Sequence, residues 1–126
     1  MNKNYAPTLQ RAALALIFLV AGIGKLMHPS MIIDMLAGMG FPLAAFFGWL
    51  VIAIEVLGGL SLLLGWKVEY SVWPMAAVLF VALVTVHLGK LADPMGQIIA
   101  GFHVLGITSL ISLYLSGPGE MSVSRG

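Results

Sequence analysis

Four stretches of this chain, Thr8 to Met27, Phe46 to Gly65, Val72 to Leu88 and Gln97 to Ser116, are unbroken apolar runs, each close to the roughly 17–25 residues that cross a bilayer as a helix. That constrains the fold more than any motif does. The chain has 126 residues, 60% of them hydrophobic and only 9% charged, against roughly 25% charged residues in an ordinary soluble domain. Its length holds four spans with short connectors and no soluble domain. The expected fold is therefore all-α: one integral membrane four-helix bundle covering residues 1–126 as a single transmembrane domain.

The connectors carry helix-breaking residues. The first, from His28 to Ala45, contains Pro29, Asp34, Gly40 and Pro42 and is long enough for a short interfacial helix around Met31 to Met39. The second, WKVEYS, reads as a tight turn, and the third, GKLADPMG, carries Lys90, Asp93 and Pro94. Lys3 and Arg11 precede the first run, as in a signal peptide. No small-x-small cleavage site follows Gly24, so the first helix is expected to stay in the protein. Lys3, Arg11, Lys67 and Arg125 fall on one side and Lys25 and Lys90 on the other, which favours an inner-membrane protein with both termini in the cytoplasm. Trp66, Tyr70, Trp73 and Tyr114 sit near expected helix ends, where an aromatic belt belongs.

Net charge is +1, and no basic stripe exists to follow a phosphate backbone, so nucleic acid is not an expected partner. The partners expected are the bilayer, other membrane or membrane-associated proteins, and a second copy of the chain. With no cysteine in the sequence, a disulfide framework, a thiol redox centre and thiolate metal sites are excluded. Any redox role needs a borrowed cofactor.

Helices in lipid associate through close approach of small residues rather than through hydrophobic drive. Gly22, Gly24, Gly48, Gly58, Gly59, Gly101 and Gly106 are read chiefly as such packing positions, with Gly22, Gly58 and Gly59 nearest the feature that matters most. That feature is Glu55, a carboxylate near the middle of the second run. An ionisable group at the bilayer centre costs at least ~2.5–3.5 kcal/mol and faces the bundle interior with a partner. At ~1.5 Å per residue, Lys25, His87 and His103 fall between Glu55 and the outer surface, and Arg11 lies near the cytoplasmic end. Arg11, Phe18 and Lys25 recur at seven-residue spacing and share a face of the first helix. Ile52, Gly58 and Gly59 share the face of Glu55, giving a neighbouring helix room to approach it.

Four readings of this buried polar cluster follow. Glu55 pairs with Lys25 or a histidine and fixes helix register; or it marks a pocket for a small molecule such as a quinone or a lipid headgroup; or Glu55 and the histidines relay protons; or Glu55, His87 and His103 hold a metal. The last is the weakest, because the histidines sit on different helices without HxxH or HxxxH spacing, and no metal is assigned.

The segments RAALALIFLVAGIGKLMHP (Arg11 to Pro29), GMGFP (Gly38 to Pro42), IEVLGGLSLLLGW (Ile54 to Trp66) and SGPGEMSV (Ser116 to Val123), in this order and spacing, resemble the DoxX family of small four-helix membrane proteins. Its pattern of an arginine and a lysine bracketing the first helix is matched by Arg11 and Lys25, its glutamate before paired glycines by Glu55, Gly58 and Gly59, and its late third-helix histidine by His87. Many relatives carry a Lys-Asn pair where this chain has Phe102 and His103, and an aspartate where it has Ser124. The resemblance implies a redox-linked membrane subunit with an intramembrane polar pocket for a molecule such as quinone, or an accessory subunit packed against a larger complex. It supplies no redox centre of its own: the sequence contains no flavin motif or facing haem ligands.

Overall fold

A computed structural model describes residues 5–119 of the chain, without the side chains of residues 86–88. Lys3, Glu120, Ser124 and Arg125 lie outside the described residues, as does the second half of the closing SGPGEMSV segment. Helix α1 runs Ala6–Met27, α2 Pro29–Gly38, α3 Ala44–Leu64, α4 Val68–Ala82 and α5 Pro94–Ser116. Among the described residues four helices are long and apolar enough to cross a membrane: α1, α3, α5, and α4 with its extension to Thr85. The protein is a multi-pass, all-helical membrane protein.

Each long helix starts ahead of its apolar run, because the first turn tolerates residues that read as loop. Prolines stand in the first turn of α1, α2 and α5, where the missing N–H costs no hydrogen bond and the fixed φ suits the helix. The expected turn WKVEYS contracts further. Gly65 terminates α3 in the left-handed region at φ 69°, with Trp66 N–H returning to the Ser61 carbonyl, and Lys67 at φ 52° starts α4. Val68 to Ser71 are thus helical rather than turn. At the far end the third run does not remain α-helical to Leu88. It passes at Leu83 into a π-helical turn, Leu83–His87, and then a 3₁₀ turn, Leu88–Lys90. The Thr85 hydroxyl donates to the Val81 carbonyl at 2.6 Å, competing with the backbone ladder in a β-branched stretch.

The spanning helices form a closed ring in which α1 packs on α3, α3 on α4, α4 on α5 and α5 on α1, while α2 lies against α3 and α1. Glycines let these backbones meet. A Cβ on Gly22 would stand 3.0 Å from both the Val56 backbone N and the Glu55 Cβ, and one on Gly58 would run into Met75 of α4. Gly59 meets Leu19, Gly48 meets Ile33 and Gly106 meets Leu79. Gly24 and Gly101, read from sequence as packing positions, face open space instead; their helix faces turn outward.

Buried side chains are not spread evenly along the ring. Leu14, Ala15 and Phe18 of α1 pack with Leu62 of α3, Val68, Val72 and Met75 of α4, and Leu110 and Leu113 of α5. All come from the half of the bundle where α1 begins and α3 ends. Trp73 and Tyr114 meet edge to face at that end, their centroids 5.1 Å apart, and Trp66 and Tyr70 are exposed there, as an aromatic belt requires. A smaller cluster of Ile32, Leu36 and Ile52 fastens α2 to α3.

Candidate functional site: an intramembrane cavity beside a buried ion pair

The other half of the bundle is hollow. A cavity of about 650 Å³ lies there, floored by Phe18, Ile54 and Leu79, where the packed core stops. Residues of α2 and α4 both line it, yet among the described residues these two helices make no contact with each other. The cavity therefore extends into the gap between them. Its walls are almost wholly apolar, with Phe41, Phe47 and Pro74 among them; the polar side chains that reach it are Lys25, Glu55, Thr85 and His103.

Glu55 is fixed by its place at mid-α3, on a face packed against α1. Gly22 sits directly against its stem, so α1 passes close enough for Lys25, one turn farther on, to reach back. Lys25 Nζ lies 2.9 Å from Glu55 Oε1. The carboxylate residue is only 5% exposed, while the lysine side chain keeps 32% of its surface open, as a long stem reaching toward an interface does. The pair is an ion pair in distance, but the approach is off the direction of a hydrogen bond, and Oε1 receives no hydrogen bond among the described residues. A buried charge is strongly stabilised only when hydrogen bonds accompany the Coulomb attraction. This one has the attraction alone.

His103, half-buried on α5, donates from Nδ1 to the Ile99 carbonyl at 2.9 Å. A carbonyl can only accept, so Nδ1 carries the proton and the neutral ring keeps its lone pair on Nε2. The side chain of His87 lies outside the described residues; its backbone belongs to the π-helical turn that follows the cavity-lining residues of α4. Among the described residues no three His, Asp or Glu side chains converge.

Arg11 is not gathered with the others. It is 2% exposed at the opposite, packed end, where Nη1 donates to the Leu62 and Leu63 carbonyls at 2.7 and 3.0 Å and Nε donates to the Pro118 carbonyl at 3.0 Å. Leu62 and Leu63 are among the last residues of α3, whose carbonyls have no partner within the helix. Arg11 therefore caps α3 and holds the segment after α5 against α1. The seven-residue spacing does put Arg11 and Lys25 on one face of α1; the helix length then separates them, one to each half of the bundle.

Sequence reasoning singled out neither Thr85 nor the wall that α2 contributes. Thr85 had a weak signal, as a polar residue in an apolar run. The role of α2 had none, since a short apolar helix reads alike whether it floats on the interface or closes a cavity.

No curated protein and no solved structure matches this chain. A family model described as DoxX matches residues 6–88, which takes in Arg11, Lys25, the whole of α2, Glu55 with its glycines, and the π-helical turn, and stops before α5. On that match, covering well over half its length, the chain belongs to the DoxX family.

Proposed function

We propose that this chain is a redox-linked subunit of the inner membrane, with both termini cytoplasmic, and that its cavity binds an amphipathic small molecule of the quinone class. One observation carries the reading: a cavity of about 650 Å³, within the roughly 300–1,000 Å³ typical of ligand pockets, joins apolar walls to one ion pair at mid-membrane depth. Apolar walls with a few placed polar groups are what a ring with an isoprenoid tail needs. A ligand of this kind dissolves in the bilayer, and the gap between α2 and α4 is the entry this reading assigns to it. An ionisable pair kept in hydrocarbon at a cost is itself a mark of function.

In this scheme Lys25 supplies positive charge and a donor, Glu55 an acceptor, and His103 and His87 give or pass protons. The chain brings no redox centre, so electrons reach the ligand from a partner. The test is direct titration of protein in lipid nanodiscs with short-chain quinone and its reduced form. Saturable binding, that of the reduced form weakened about tenfold or more by Glu55→Gln, is the expected result. If neither form binds, the cavity is no quinone site and the accessory-subunit reading takes its place.

A further inference from the structure

We infer that the site prefers a ligand bearing a hydroxyl donor, a phenol or hydroquinone rather than the oxidised quinone, and that the Glu55 carboxylate receives it. This rests on the cavity being a ligand site, and adds which chemical form it takes. Three observations bear on it. Glu55 is buried to within 5% yet lines the cavity. Its Oε1 has Lys25 Nζ at 2.9 Å but no hydrogen bond among the described residues. Lys25 also lines the cavity with part of its surface open. A buried carboxylate oxygen without an aligned donor is an unmet acceptor, and leaving one unmet is costly.

The ligand forms differ in what they can offer that oxygen. A quinone presents two carbonyl oxygens and no donor; against Glu55 it sets one acceptor on another. A hydroquinone presents an O–H that donates to the carboxylate, whose Oε1 stays beside Lys25 Nζ. The pair then acts as an adjacent acceptor and donor, matched to one hydroxyl. Phe41 and Phe47, whose rings meet edge to face at 65°, give the cavity an aromatic wall for the ligand ring. No electron transfer is needed for this discrimination. It is an equilibrium difference in binding.

The experiment compares three probes on the same protein in nanodiscs under anaerobic conditions: a short-chain benzohydroquinone, its oxidised quinone, and its dimethyl ether, which has the ring and bulk of the first without a donor. A hydrogen bond to a charged acceptor corresponds to about tenfold or more in affinity. The hydroquinone is expected to bind at least that much more tightly than either other probe. In Lys25→Leu/Glu55→Leu, which removes both charges and so leaves neither stranded, the three affinities are expected to converge. Equal binding of all three to the native chain overturns the inference while leaving the site standing; absence of binding by all three overturns the site itself. A hydroquinone preference that persists in the double variant assigns the acceptor elsewhere and also overturns it. Should the double variant fail to fold, the comparison of probes on the native chain still decides.

Discussion

The two halves of this bundle are built from the same helices and the same kinds of residue, yet one is packed through its centre, with a groove of about 450 Å³ along α3 and α4, and the other encloses a larger cavity. In the half where α1 begins, nine buried apolar residues from four helices close the centre, and a buried cation there, Arg11, reaches three backbone carbonyls. In the other half the centre is a cavity, and the buried anion, Glu55, has an ion pair without a hydrogen bond at Oε1. A saturated buried charge reads as a clasp. A buried charge that lines a cavity reads as a binding group, because a further partner can come from the space beside it.

This contrast is broken most severely at the clasp. Replacing Arg11 by Met leaves the Leu62, Leu63 and Pro118 carbonyls without their side-chain donor, and is expected to cost about 3–5 kcal/mol, read as a large fall in thermal unfolding temperature in detergent. If the variant is as stable as the native chain, Arg11 is not a structural clasp. Next comes the ion pair. Lys25→Leu alone strands a buried carboxylate and is expected to cost about 3 kcal/mol, whereas Lys25→Leu/Glu55→Leu recovers most of that loss. A double variant no better than the single one would show that the two groups do not answer each other.

Packing glycines give a smaller effect. Gly22→Val drives a branched side chain into the Val56 backbone and is expected to cost about 1–3 kcal/mol while parting Lys25 from Glu55. Gly24→Ala, which meets nothing, serves as its neutral control. The smallest change in stability is expected of Ala21→Leu, which projects into the cavity and alters the unfolding midpoint by less than about 1.5 kcal/mol. It should nonetheless abolish ligand binding. Binding that survives it places the ligand elsewhere.

Much of this was legible in advance because lipid is a severe solvent. A run such as Val51 to Gly65 must be helical there, and Glu55 within it must find a partner; four such runs in a short chain leave an antiparallel bundle. Depth offered Lys25, His87 and His103 alike as the partner of Glu55, and helical phase did not choose among them. Less legible were Gly24 and Gly101, identical in type to Gly22 but facing outward, since helical phase alone does not say which face a neighbour covers. The departure of the third span from α-helix at Leu83 was carried only by a β-branched stretch and one threonine.

The sequence by itself determined the class of fold, the number of spans, the absence of thiol chemistry and the need to neutralise Glu55, because each follows from composition and from the cost of polar groups in hydrocarbon. The tertiary structure decided how the charges divide. Arg11 and Lys25 lie on one helical face, but only the meeting of α1 with an antiparallel α3 sends the first to that helix's terminal carbonyls and the second to its central carboxylate. Whether the space beside that carboxylate is filled or empty depends on side chains from α2, α3 and α4 that are distant in sequence. No local pattern encodes a void, which is the absence of a packing partner rather than the presence of a residue.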